Sequence, residues 1–309
     1  MLKKLQNKIV ELKQVKRTVL CLKEKSLPGF GGVPIFEVGK YFKKAVLNGT
    51  LGTRSASLAF NFFLAVFPGL LFLVSLIPFV PLDGFYENLL FNLNDVLPSA
   101  IKDPVLDTLN DLVNNERQGL LILNILLALY FASNGVDNLM TQFNNTNLFQ
   151  EKRVWWKKRL IAIFLVLVLT VILFLGVTLI SFAREILAYF FRDMWMGDSV
   201  NWIYINFIRW IIVVALFYFA ISFLYYFGPA KRKNWKFFSA GSSTATVLII
   251  LSSLGFSFYV NHFSQYNAIY GSIGTIIIVM LFFQLNSFVL LLGFELNASI
   301  RKGRFEINS

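Results

Sequence analysis

Residues 160–182 read LIAIFLVLVLTVILFLGVTLISF, twenty-three residues without a charge, entered directly from Lys157-Lys158-Arg159. A helix rises about 1.5 Å per residue, so this stretch reaches about 34 Å, enough to cross a hydrocarbon core of about 30 Å. The rest of the chain carries more of the same. Apolar stretches run over 57–80, 202–227, 237–260 and 271–294, each near the length a span requires. A further one starts at Gly119 and is apolar only to Ala132, so to span it has to continue through Ser133, Asn134 and Asp137. Of the 309 residues, 56% are hydrophobic and 15% charged, and the mean hydropathy is +0.63. A soluble domain of this length needs far more polar surface. The 34 phenylalanines fit lipid contact better than an aromatic binding box.

The charges say which way the spans run. Residues 1–56 carry 12 Lys or Arg against 3 Asp or Glu. The connection 81–118 carries 2 against 7, 133–159 carries 5 against 2, and 183–201 carries 2 against 3. Segment 228–236 carries 4 against 0, 261–270 carries none, and 295–309 carries 3 against 2. Basic connections alternate with neutral or acidic ones. The positive-inside rule then sets an even number of spans with both ends on the cytoplasmic side. The fold class expected is all-α: a polytopic membrane protein with six transmembrane helices, N- and C-termini cytoplasmic, and N-terminal amphipathic helices. The net charge of +12 is topological, and no nucleic-acid partner is expected. The basic face meets anionic headgroups instead, so membrane lipids are the expected partners.

Three regions are expected: basic interfacial helices over 1–54, a transmembrane domain over 55–300, and a cytoplasmic tail over 301–309. Leu2, Leu5, Ile9, Leu12, Val19 and Leu22 fall at helical spacing with lysines between, a basic amphipathic helix suited to the inner leaflet or a partner helix. A Gly/Pro turn over 28–34 and a second amphipathic segment from Ile35 to Leu47 follow. In the outer connection 81–118, Asp103-Pro104 starts a short helix as cap and first residue, and a helical pair is expected there. The basic start leads into no apolar stretch for more than fifty residues, so no cleavable signal peptide is expected.

Polar groups within hydrocarbon are costly and tend to face the protein interior or a wet path. Arg209 lies about two turns into the fourth stretch, placed to bind an anionic headgroup or carboxylate, or to snorkel to the interface. Asn124, Asn134 and Asp137 share the second stretch, and Asn61 lies on the first. Gln284 and Asn286 fall mid-way along the last, where interhelical hydrogen bonds explain them as well as a pathway does. Glu295 ends the last stretch, and Arg54 precedes the first on the same side, so an ion pair between them is expected. Pro68 in Phe67-Pro68-Gly69 frees a carbonyl and bends its helix. Gly271 and Gly274 permit close helix contact or a tight turn. One histidine, His262, and one cysteine, Cys21, argue against a histidine metal site and exclude an internal disulfide. Neither a metal nor another cofactor is expected. No Gly-x4-Gly-Lys-Ser/Thr phosphate loop is present, so any work comes from an ion gradient, a partner or downhill flow.

Several clusters carry a family resemblance over about residues 35 to 300. Leu58-Ala59-Phe60-Asn61-Phe62-Phe63 leading to Phe67-Pro68 is one. Arg209-Trp210 with Tyr225-Tyr226-Phe227-Gly228-Pro229, Trp235 and Gly241 is another. Tyr266 to Gly274, which includes Tyr270, and Leu292-Gly293-Phe294-Glu295-Leu296-Asn297-Ala298 complete the set. Together they resemble the YihY/BrkB family of bacterial inner-membrane proteins. Two departures stand out: Asn61, where the family has a small or aromatic residue, and Phe282-Phe283-Gln284, where a tryptophan is common. The resemblance implies six spans, and Arg54, Pro68, Pro229, Tyr270, Gly271 and Gly274 are the candidates for structural or gating positions. It also implies links to serum resistance, to export of lipid A precursors in one branch, and to an old ribonuclease label. Hydrolysing RNA needs a metal cluster or paired acid and base groups at an aqueous surface, and no enzyme is expected here. The function expected is transport of a lipid or other anionic amphipath. The alternatives are a non-transport scaffold of envelope assembly, with envelope protein partners or homo-oligomers, and an ion-coupled small-solute carrier working through Asp137 or Glu295.

Overall fold

The computed structural model describes residues 20–47, 50–76, 118–145, 153–182, 198–230, 235–262 and 272–307. Among these every regular element is helical. The helices are α1 (Ile35–Leu47), α2 (Thr50–Leu76), α3 (Gln118–Asn144), α4 (Trp155–Ser181), α5 (Asp198–Phe227), α6 (Ala240–His262) and α7 (Ser272–Ile307). Four stretches among the described residues are long and apolar enough to cross a membrane: Trp155–Ser181, Asn206–Phe227, Ala240–Val260 and Ile276–Glu306. The protein is an integral membrane protein. The helices expected over 1–19 and in the connection 81–118 lie outside the described residues.

Helices adjacent in sequence pack on each other from α2 through α7, and α7 returns to α2. The six form a ring. Its core lies toward one end, built from the starts of α2, α4 and α6, the finishes of α3 and α5 and the middle of α7. Leu58, Leu139, Met140, Phe143, Leu165, Tyr225, Leu291 and Phe294 are each almost fully enclosed there. Farther along the same helices, Asn61 to Phe63 and Ile277 to Met280 are only half-buried, and Leu251, Leu254 and Phe258 are exposed. Exposed apolar side chains on α4, such as Leu160, Phe164, Leu167 and Val171, recur every three or four residues, the lipid-facing stripe of a span.

α3 runs unbroken through Ser133, Asn134 and Asp137, because that polar half faces α2 and α4 rather than lipid. α1 has the bounds its amphipathic pattern predicts. α7 departs from expectation. At 36 residues it reaches about 54 Å and continues through 301–307, so the boundary at 300 falls inside a helix. The reason is packing. Phe30, Val33 and Val38 bury against Ile300, and the Arg301 guanidinium lies over the Trp235 and Phe305 rings. Gly303 admits this contact, since a Cβ there would stand 2.6 Å from Val33 Cγ1. The turn beneath uses left-handed backbone at Gly31 (φ 62), where any side chain would strike Arg304.

Candidate functional site

The closed end of the ring holds a layer of polar ties around an aromatic centre. α2 supplies Arg54, whose Nη1 donates to Glu295 Oε1 of α7 at 2.7 Å and whose Nη2 donates to the Gln142 carbonyl of α3 at 2.5 Å. The two side chains are 11% and 5% exposed, so the pair works in a low dielectric. One guanidinium thus joins three helices, which a lysine cannot do in the same geometry. The chain of bonds continues inward. Gln142 Nε2 donates to Asn138 Oδ1 at 3.0 Å, and Asn138 Nδ2 donates to the Ser57 carbonyl and hydroxyl. Asn61 Nδ2 donates to that same carbonyl at 2.9 Å.

Beside this seam the centre is filled by rings. Phe143 of α3 stacks on Phe294 of α7 with centroids 4.1 Å apart, and Trp235 stacks on the other side of Phe294 at 5.2 Å. Tyr225 of α5 meets Phe143 and Phe294 edge-on. Its hydroxyl donates to the Leu290 carbonyl at 2.5 Å, which satisfies the buried phenol.

Other ties close the circuit. Lys158 of α4 donates to Asp137 Oδ2 at 2.8 Å and to Thr141 Oγ1 at 2.7 Å. Arg159 donates to Asn134 Oδ1. Pro229 is buried after Gly228, whose carbonyl accepts from Arg153 Nη2, and the Ala230 N–H donates to Asn144 Oδ1. α6 and α7 touch backbone to backbone. Asn297 Oδ1 accepts from the Gly241 N–H at 2.8 Å, and a Cβ on Gly241 would stand 2.3 Å from the Gly293 carbonyl. Farther along, Asn286 Oδ1 accepts from Ser253 Oγ at 3.3 Å and from Ser252 Oγ at 3.5 Å.

The residues singled out by sequence fall into distinct places. Arg54 and Glu295 are paired, as their common side suggests. Asp137 and Asn134 face α4, and Asn286 faces α6, so these three do not converge on one point. Gln284 is exposed, on the far side of α7 from the serines that bind Asn286. Two positions along a helix turn a side chain by about 200°, which separates the pair. Arg209 is half-buried on α5, and its Nε is enclosed with no hydrogen-bond partner among the described residues. Pro68 is half-buried inside a continuous α2, and Gly274 is buried near the start of α7. The Asn124 side chain, Tyr270 and Gly271 lie outside the described residues. Sequence reading passed over Gln142, Lys158 and Arg159. The i, i+4 spacing of Asn134, Asn138 and Gln142 was a signal for the first, but the lysine and arginine read only as topology markers. Among the described residues no group of three or more His, Cys, Asp or Glu stands where it would hold a metal ion.

Comparison with known proteins identifies relatives of the chain. The family model described as Virulence factor BrkB matches residues 44–308. The ribonuclease-like protein YfkH of Bacillus subtilis (strain 168) is 33% identical over 259 residues, 81% of this chain and 90% of that protein. A UPF0761 membrane protein of Vibrio campbellii (strain ATCC BAA-1116) is 27% identical over 273 residues, 87% of this chain and 83% of its own length. No solved structure matches.

Proposed function

The chain belongs to the BrkB family of membrane proteins, and from that premise we propose that it carries a lipid or another anionic amphipath across the bacterial inner membrane. In this reading all six ring helices span the bilayer, and both termini are cytoplasmic. The observation that carries it is Arg209. A guanidinium inside a membrane span has a high cost unless something answers its charge. This one lies on α5, eighteen residues before the helix ends at Phe227 and thus about 27 Å from the packed end. Its Nε is enclosed yet unbonded among the described residues. An anionic headgroup at the accessible part of this half-buried guanidinium answers its charge. The packed aromatic end and the half-buried remainder of the ring together support a carrier closed at the cytoplasmic side.

The carboxylates are committed elsewhere. Asp137 is paired with Lys158 and Glu295 with Arg54, so neither is free to act as a general base. That supports a non-enzymatic role, and a ribonuclease assay on the purified chain is expected to show no hydrolysis above a buffer control. The same pairings favour the scaffold as second reading, because they make most intramembrane polar groups part of the fold. Proteoliposomes with a fluorescent anionic phospholipid separate the two. Transport predicts lipid movement that falls at least about tenfold in Arg209→Ala, the worth of a charge-assisted hydrogen bond, with the melting temperature held. No movement of lipid or solute, with wild type and variant alike, supports the scaffold and overturns transport.

A further inference from the structure

The membrane-facing crevice between α3 and α4 carries positive charge that the ring's polar ties do not neutralise. Three basic residues stand in sequence at the start of α4, and each is used differently. Lys158 is answered by Asp137, the carboxylate facing it from α3. Arg159 turns to neutral partners. Its Nη1 donates to Asn134 Oδ1, its Nη2 donates to the Tyr130 carbonyl at 3.3 Å, and its Cζ lies 5.1 Å from the Tyr130 ring centroid. A guanidinium has five N–H donors, so this one is held in place with donors to spare and its charge unmatched among the described residues. Lys157 is exposed over the Trp156 ring at 5.3 Å and makes no ion pair among the described residues. Arg153, just before the helix, donates to the Gly228 carbonyl.

Depth and surroundings identify the ligand class. Trp155 is 77% exposed at the first position of the span, the level at which indoles mark the headgroup region. Arg159 lies four residues deeper, about 6 Å along the helix. From there Tyr130 and Leu127 of α3 and Leu160 of α4 are exposed and lead into the hydrocarbon zone. A fixed fork of donors at headgroup depth above exposed apolar side chains of two touching helices fits a phosphate with acyl chains attached.

We propose that this crevice binds an anionic phospholipid, with Arg159 on the phosphate, Lys157 as the second charge, and the acyl chains along α3 and α4. The site is separate from Arg209 and does not rest on the transport reading, since a resident lipid here need not be the one moved.

Native mass spectrometry of the full chain, titrated with phosphatidylglycerol and phosphatidylcholine of equal chain length, tests it. The wild type is expected to retain phosphatidylglycerol preferentially. Arg159→Gln lowers that preference about fivefold, as expected for one charge near a headgroup, and Lys157→Gln lowers it less. Asn134→Ala keeps the charge but frees the guanidinium, so it also lowers the preference, and it carries the test if Arg159→Gln does not fold. Lys236→Gln, at an exposed lysine outside the crevice, leaves the preference unchanged. Inorganic phosphate at matched concentration does not displace the lipid. A preference unaltered in both Lys157→Gln and Asn134→Ala overturns the proposal. So does displacement by inorganic phosphate, which would make this a free-anion site.

Discussion

At the scale of single residues, the buried ion pair between Arg54 and Glu295 decides how three helices meet. Its removal from one side is worse than its removal from both, because a lone buried charge keeps its desolvation cost. Glu295→Ala is therefore expected to destabilise by about 3–5 kcal/mol, read as a lowered unfolding midpoint in detergent. Replacing both partners with methionine recovers most of that loss. If the single and double variants unfold alike, the pair is not what joins α2 to α7. This pair was legible beforehand from two opposite charges at the same membrane face. The tie from Arg54 to the Gln142 carbonyl was not, because a backbone acceptor leaves no mark in sequence.

At the scale of elements, the contact of α6 with α7 depends on missing side chains. A Cβ on Gly293 would lie 2.7 Å from both Ala245 Cβ and Tyr225 Oη, so Gly293→Ala is expected to cost about 1–3 kcal/mol through overpacking. Gly255 lies on the same α6 with nothing within 4 Å, and Gly255→Ala leaves the unfolding midpoint unchanged or raised. Equal effects from the two changes would show that helix propensity, not close approach, governs this interface. α1 is strapped to the end of α7 by Tyr41, whose hydroxyl donates to Glu306. That bond, aided by burial and nearby carboxylates, pushes the Tyr41 phenol from 10.0 up to about 12. A raised phenol pKa favours the protonated, donating form in the folded chain. The strap's contribution is thus complete below pH 10 and is lost as pH rises toward 12. Absorbance titration of wild type minus Tyr41→Phe is expected to reveal a phenol ionising near pH 12. A difference curve centred at pH 10 would mean that Tyr41 and Glu306 do not meet.

At the scale of the whole molecule, the orientation expected from charge has a direct test. Cys21 is the chain's one cysteine, and it is exposed just before the turn that docks on α7. With the N-terminus cytoplasmic, a membrane-impermeant maleimide labels Cys21 in inverted vesicles and not in intact cells. Labelling of intact cells would reverse the topology and place the aromatic plug on the outside.

Much of this architecture was readable from the chain itself. Long apolar runs force helices, because backbone polar groups in hydrocarbon must bond within their own segment. Alternating basic connections set the expected direction of each span, because lysine and arginine resist crossing. Both signals are local, so they need no knowledge of neighbours. Which polar groups meet is not local. Gln284 and Asn286 are two residues apart, yet one is exposed and the other binds serines on α6. Lys158 and Arg159 are adjacent, yet one is neutralised by a carboxylate and the other is held by an amide and a carbonyl. Only the packing of the ring decided these assignments, because a helix sets where its side chains project but not what stands opposite them.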